Sequence, residues 1–344
     1  MRRRILGGTG MSVTELALGT MMFGSWGNTD EAETTRVVRL ALDAGINLVD
    51  TADIYGEGES ERIVGRAIRG RRDDLVLCSK FHSPMGSDAN HQGNSRRWIV
   101  RAVEGSLRRL GTDRLDLYQV HRIDPDTDID ETLSALSDLV RSGKVLAVGT
   151  SNFPADQIVE AQWTAERRGH IRFRSEQPQY SLLARGVETH VLPAAQRHGM
   201  GVLTWGPLGA GWLSGKDIRP GVGRAVLEAR RFDLSVPENA AKVRAVAALK
   251  KVAADTGISL THLALAFVRA HPAVTAVIIG PRTPGQLTDL LAGADVVLDD
   301  DVLDRLDTIV PPGTDLNRAD SHYVPRVLSD PSLRRRPTRG REAR

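Results

Sequence analysis

The sequence predicts an α/β fold closed into a (β/α)8 barrel of the TIM type, and three observations predict it. Short strand-like runs, most of them apolar, alternate with amphipathic stretches along most of the chain. Eight such runs are present, and several end on a polar or ionisable residue. A parallel barrel gathers such strand ends around one mouth, whereas an open doubly wound sheet, the other architecture with this alternation, spreads them along an edge.

The elements follow in chain order. RRRILGGTGMSVTEL sets a Gly-rich turn between two short alternating runs and reads as a β-hairpin that covers the bottom of the barrel. Gly8 and Gly10 imitate a dinucleotide fingerprint there, but no strand precedes them and no full G-x-G-x-x-G follows. The eight strand-like runs are ELALGT (15–20), NLVDTA (47–52), LVLCSKF (75–81), LDLYQVH (115–121), VLAVGTSN (145–152), FRSEQPQY (173–180), GVLTWGPL (201–208) and AVIIG (276–280). TDEAETTRVVRLALDAG, SRRWIVRAVEGSLRRLG and DIDETLSALSDLVRSG are among the helical stretches between them, with Asp or Ser at the N-cap and Gly just past the end. No internal repeat is present, and no Pro-, Gly- or Ser-rich linker divides the chain. Residues 1–312 therefore read as one barrel domain, and 313–344 as a C-terminal loop ending in a disordered basic tail.

Composition narrows the class. A chain of 344 residues, 41% of them hydrophobic, can bury a large core. The net charge of +3 is a property of the tail, because residues 330–344 hold six Arg against Asp330 and Glu342. A basic tail without aromatic residues, on a chain otherwise near neutral, indicates neither a nucleic-acid partner nor a membrane surface. Cys78 is the single cysteine, which excludes internal disulfides and suits a reducing compartment. Gly7 and Gly8 interrupt the basic start before a signal-type apolar region can build up, and no segment reaches membrane-span length, so a cytoplasmic location is expected. The sequence carries no signal for oligomeric state.

Four residues carry the chemistry. Asp50, Lys80 and His121 close three of the apolar runs, and Tyr55 lies in the loop after the first of these. A carboxylate in a strand of Asn, Leu and Val needs a partner to stay charged, and Lys80 is the expected one. An ammonium beside Tyr55 favours the phenolate, so a lowered tyrosine pKa is expected. A lone strand-end His is usually structural, but convergence with Tyr and Lys makes His121 a candidate catalytic group.

DTADIYGEGESERIVGRAI, the strand-end Lys80, LDLYQVHRIDP, TSNF, EQPQYSLL and VIIGPRT resemble, in order and spacing, the aldo-keto reductase family across residues 1–312. The resemblance implies an NADPH-dependent carbonyl reductase (NADP as product) in which Tyr55 protonates the carbonyl oxygen, Lys80 tunes Tyr55, Asp50 holds Lys80 and His121 orients the carbonyl. It also implies a cofactor site. Ser151, Asn152 and Gln177 match carboxamide-binding positions, and Trp205 the aromatic that stacks on nicotinamide. Gly206, Pro207, Leu208, Ala210 and Lys216 match the pyrophosphate-covering segment, where most relatives carry Ser in place of Gly206. Gly19, Thr20, Met21 and Asp50 fall at further cofactor positions. Gly280 and Arg282 match the adenosine 2′-phosphate end, with Gln286 and Asp289 at adenosine-contacting positions and Leu290 where the family usually has Asn. Ala210 to Lys216 is no P-loop, because Asp217 follows the Lys where Ser or Thr is needed.

Specificity in a barrel lies in the βα loops, here Met21 to Asn28, His82 to Arg97, Arg122 to Asp128 and the stretch after His322. Phe23, Trp26, Phe81 and Arg122 are candidate pocket walls. The expected partner is a small carbonyl compound, an aldehyde, ketone or keto-sugar. LPAAQRHGMGVLTWGPLGAGWLSG is similar to a branch that reduces nucleotide-linked deoxysugars in natural-product biosynthesis. No metal is expected. An NADP(H)-binding regulatory or sensor subunit is the alternative of another class, since potassium-channel β subunits share this fold but lack the catalytic His that His121 would supply. A triad or metal hydrolase is disfavoured by the absence of G-x-S-x-G and H-E-x-x-H.

Overall fold

A computed structural model describes residues 1–216, 229–321 and 323–333. Asp217, His322 and the Arg-rich tail from 334 onward, all of which figured in the reading of the sequence, lie outside the described residues.

The hairpin forms from β1 (Arg3–Ile5) and β2 (Ser12–Thr14), antiparallel, with the Gly7–Thr9 turn between them and Gly10 left-handed at φ 76°. Eight parallel strands follow as β3 (Leu16–Gly19), β4 (Leu48–Asp50), β5 (Val76–Phe81), β6 (Leu115–Val120), β7 (Val145–Ser151), β8 (Ser175–Gln177), β9 (Gly201–Thr204) and β10 (Val274–Ile279). They close in sequence order, β10 pairing with β3, which settles the barrel over the open sheet. The helices are capped as expected. Asp30, Ser95 and Asp128 accept backbone N–H groups at the starts of Glu31–Asp43, Arg96–Leu110 and Ile129–Arg141, and Gly111 ends the second in the left-handed conformation. The strand predicted over 173–180 is only three residues long, because Pro178 has no N–H to continue a ladder.

Alternation along each strand sorts the side chains into two cores. Leu77, Phe81, Tyr118, Val120 and Val148 join the larger core with the surrounding helices. Ala17, Leu48, Cys78, Leu117, Ala147, Leu203 and Ile278 fill the barrel interior, together with Leu6 and Val13 from the hairpin. The hairpin thus plugs the base, as its position ahead of the first strand predicted. Within the barrel, Gly149 is required by close approach: a Cβ there would lie 2.0 Å from Ser175 Oγ and 2.9 Å from the Ser175 carbonyl oxygen.

Residues 313–321, expected as a loop outside the barrel domain, are fastened to it. Arg185 N donates to Thr314 O, Leu316 N to Leu183 O, and Asp320 pairs with the buried Lys242 on the helix Pro237–Thr256. No helix among the described residues is long and apolar enough to cross a membrane.

Candidate active site

Because the inward positions repeat every second residue, the last inward residue of each strand falls in one layer at the mouth. Register places Gly19 against Asp50, Lys80 against Gln119, and Ser151 against Gln177. Lys80, fully buried, donates from Nζ to Asp50 Oδ2 at 2.7 Å, to Thr51 O at 2.9 Å and to the Tyr55 hydroxyl at 3.4 Å. The His121 ring stands edge-on to Tyr55 with centroids 5.9 Å apart, and the Trp26 ring lies 6.0 Å from Tyr55. Asp50, Tyr55, Lys80 and His121, dispersed through 72 positions of sequence, meet at one place.

The electrostatics follow from burial set against the Lys80 charge. Burial pulls the Lys80 ammonium down, but Asp50 together with Tyr55 and Cys78 outweighs this and holds it above the usual lysine range. Burial raises the Tyr55 phenol, and the attraction of Lys80 only partly opposes it. The net direction is upward, which corrects the lowering expected from the sequence: the neighbour was legible, the desolvation was not. Burial, with Lys80 adding to it, keeps His121 well below the usual histidine range, so its imidazole is neutral at pH 7.

A second polar network runs from this cluster along the same layer. A carboxylate only accepts, so Gln177 must turn Nε2 toward Asp50 Oδ1, at 2.8 Å, and the same nitrogen donates to Gln119 Oε1 at 2.9 Å. Ser151 Oγ donates to Gln177 O and accepts from Asn152 Nδ2. Asn152, at φ 60°, accepts at Oδ1 from Trp205 Nε1 at 3.1 Å, which fixes the indole plane.

Tyr55 and His121 open on a cavity of about 540 Å³. Its lining includes every expected cofactor position: Gly19, Thr20, Met21, Asp50, Ser151, Asn152, Gln177, Trp205, Gly206, Pro207, Leu208, Ala210, Lys216, Gly280, Arg282, Gln286 and Asp289. Gly206 has φ 70°, so the residue that departs from the family's Ser occupies backbone that favours glycine. Of the four expected walls, Trp26 and Arg122 line the cavity and two do not. Phe81 neighbours the inward Lys80 and so faces outward, fully buried against Tyr118 at 4.9 Å, while Phe23 is fully buried in the helix-facing core. Sequence reasoning missed Ile54 and Ser214, which lie inside quoted motifs but were given no role, and Ser83, Arg231 and Thr261, which carry no motif; all five also line the cavity.

It also missed Asp53, two residues before Tyr55. Both carboxyl oxygens are buried without a well-formed hydrogen bond, and burial, then the nearby Glu61, hold its pKa well above the usual carboxylate range despite the opposing Arg109 and the backbone N–H of Ile54. Glu61 itself is satisfied by Ser79 Oγ at 2.5 Å and Arg109 Nε at 2.6 Å. A carboxyl whose folded pKa is raised binds a proton that the unfolded chain has released, so stability falls as pH rises above about 4, the unfolded value, toward the folded pKa. Asp53→Asn should remove this slope, at most about 1.4 kcal/mol per pH unit. Denaturation at pH 5 and pH 8 should show the variant gaining on the wild type with rising pH, and parallel curves would refute the assignment.

Fold and site together define a barrel protein with an acid–base cluster at its strand ends, beside a cavity large enough for a sizeable ligand. A family model described as the aldo/keto reductase family matches residues 15–311, and the chain belongs to that family, which supports an oxidoreductase. It is 42% identical to an uncharacterized oxidoreductase, YrpG, of Bacillus subtilis over 90% of this chain and 96% of that one. The aldo-keto reductase YhdN of the same organism is 37% identical, over 82% of this chain and 85% of that one. A probable voltage-gated potassium channel subunit beta of Arabidopsis thaliana is 35% identical, over 90% of this chain and 97% of that one.

Proposed function

We propose that this chain is an NADPH-dependent reductase of an aldehyde, ketone or keto-sugar, with Tyr55 as general acid, acting in the cytoplasm. The observation that carries the reading is a Tyr hydroxyl 3.4 Å from a buried ammonium, opening on a cavity whose other walls suit a nicotinamide dinucleotide. The donor set fits that group. Ser151, Asn152 and Gln177 offer amide and hydroxyl groups to a carboxamide, Trp205 offers a fixed aromatic face, and Lys216 and Arg282 offer cations to phosphates. When bound, the cofactor supplies the hydride.

The protein's own part is positioning and proton supply. Tyr55, kept protonated by burial, donates its proton to the carbonyl oxygen. Lys80 holds positive charge beside that hydroxyl and so stabilises the phenolate left behind. Asp50 keeps Lys80 charged and aimed. Neutral His121 supplies a second N–H donor to the same oxygen, where negative charge develops.

Fluorescence titration and turnover test the reading. NADPH should bind more tightly than NADH, and Arg282→Ala should weaken NADPH about 10–100-fold, the loss of one charge-assisted phosphate contact, with little change for NADH. Oxidation of bound NADPH by at least one member of a panel of aldehydes, ketones and keto-sugars is expected. The similarity to channel β subunits supports a second reading, an NADP(H)-binding regulatory subunit. Tight NADPH binding without turnover on any carbonyl would favour it and reject the reductase.

A further inference from the structure

We propose that Glu176, whose side chain points away from the cavity, is a positioning residue for the nicotinamide end of the site: it holds the turn 150–153 in the conformation that aims Asn152 and, through it, Trp205. The inference deepens the NADPH reading above and rests on it.

Gln177 ends β8 in the inward layer, so its neighbour Glu176 faces outward, where it is fully buried and stands in register with Thr150 of β7. From there it reaches the turn that follows β7. Its Oε1 accepts from Phe153 N–H at 3.1 Å, and its Oε2 lies 2.5 Å from the Thr150 hydroxyl, so one carboxyl bridges the residues on either side of Ser151 and Asn152. Between these two anchors the Asn152 backbone is left-handed, at φ 60°, a conformation that residues with a side chain keep where their surroundings hold it.

That backbone decides where one amide points. Asn152 Nδ2 donates to Ser151 Oγ at 2.7 Å and to His121 O at 3.4 Å, while Oδ1 accepts from Trp205 Nε1 at 3.1 Å. Ser151, Asn152 and Trp205 line the cavity and are the groups offered to the carboxamide and its ring in the reading above. Loosening the turn would misalign all three together.

Hydrogen-bond valence indicates the protonation state of Glu176. Thr150 has one hydroxyl proton and two oxygen neighbours, Glu176 Oε2 and, at 3.3 Å, Ser175 O, which only accepts. An undissociated Glu176 satisfies the whole set: its own O–H donates to Thr150, Thr150 donates to Ser175 O, and Phe153 N–H fills Oε1. A carboxylate leaves two acceptors competing for one proton. Burial pushes the Glu176 pKa up to about 8, against the opposing hydrogen bonds of Thr150, Phe153 and Asn152 and the charge of Arg122, which follows β6. At neutral pH the carboxyl is therefore mostly protonated. Above that value it ionises, and the set loses a hydrogen bond.

Fluorescence titration of NADPH on the intact protein from pH 6.5 to pH 9.5 tests this without turnover. Wild type should bind several-fold more weakly at the alkaline end than at pH 7. Glu176→Ala should weaken NADPH about tenfold at pH 7, the worth of a misplaced hydrogen-bonding group. Glu176→Gln should restore wild-type affinity at pH 7, because an amide can donate to Thr150 and accept from Phe153, and should keep it to pH 9.5, because it does not ionise. If Glu176→Ala fails to fold, wild type against Glu176→Gln decides.

A wild-type affinity that is flat to pH 9.5, or a parallel alkaline loss in wild type and Glu176→Gln, overturns the inference and leaves the reductase reading standing. So does Glu176→Gln binding as poorly as Glu176→Ala at pH 7. A merely structural role also overturns it, and would lower the melting temperature of Glu176→Ala while leaving the NADPH affinity of the folded variant unchanged. Wild type that binds no NADPH at any pH overturns both.

Discussion

Tyr55→Phe should lower carbonyl turnover by about 10²–10⁴-fold, the usual worth of a positioned general acid, while NADPH affinity stays within about twofold of wild type. The substitution removes one oxygen and keeps the ring, so the contacts with Trp26 at 6.0 Å and His121 at 5.9 Å are retained and the cavity wall keeps its shape. Lys80 loses only its longest hydrogen bond, 3.4 Å, and keeps those to Asp50 and Thr51. A drop in kcat with an unchanged cofactor titration is therefore the signature. Retained activity would show that the proton comes from elsewhere.

Lys80→Met has the second large effect, and it acts on stability as well as rate. It strands Asp50, 3% exposed, with Gln177 Nε2 as its side-chain partner, and removing one member of a buried ion pair costs about 3–5 kcal/mol. The phenolate of Tyr55 loses its counter-charge at the same time, so turnover should fall too. Adding Asp50→Asn to Lys80→Met should recover part of the lost stability, because no unpaired charge then remains buried. Denaturant titration of the two single variants and the double variant measures this, and strictly additive losses would mean that the two residues do not act as a pair.

The barrel was legible because its strands are apolar runs ending in polar residues, and the tetrad because those ends share a mouth. Legibility failed where one dimension hides the relevant quantity. Ser175–Gln177 was expected as a strand, but its extent was not legible, because its residues are all polar and barrel closure, not an apolar pattern, bounds it. Phe81 sits at a strand end like Lys80, but the neighbouring position faces the other way, a distinction that period-two counting from Lys80 would have made. The Tyr55 shift came out with the wrong sign because sequence names a charged neighbour and says nothing of how much water is lost. Arg231 joins Arg122 only through folding, from a stretch without a motif.

The hairpin has a consequence for traffic. With Leu6 and Val13 stopping the barrel from below, the described interior is a blind vessel, and a ligand seated in the strand-end layer must leave past whatever lies above it. In the proposed reading the nicotinamide ring rests among Ser151, Asn152, Gln177 and Trp205, within that layer, and the carbonyl compound enters over it. In that reading the alcohol would depart first and the spent cofactor second, because a two-stranded cap at the far end from the chemistry leaves the mouth as the one way out of the described interior.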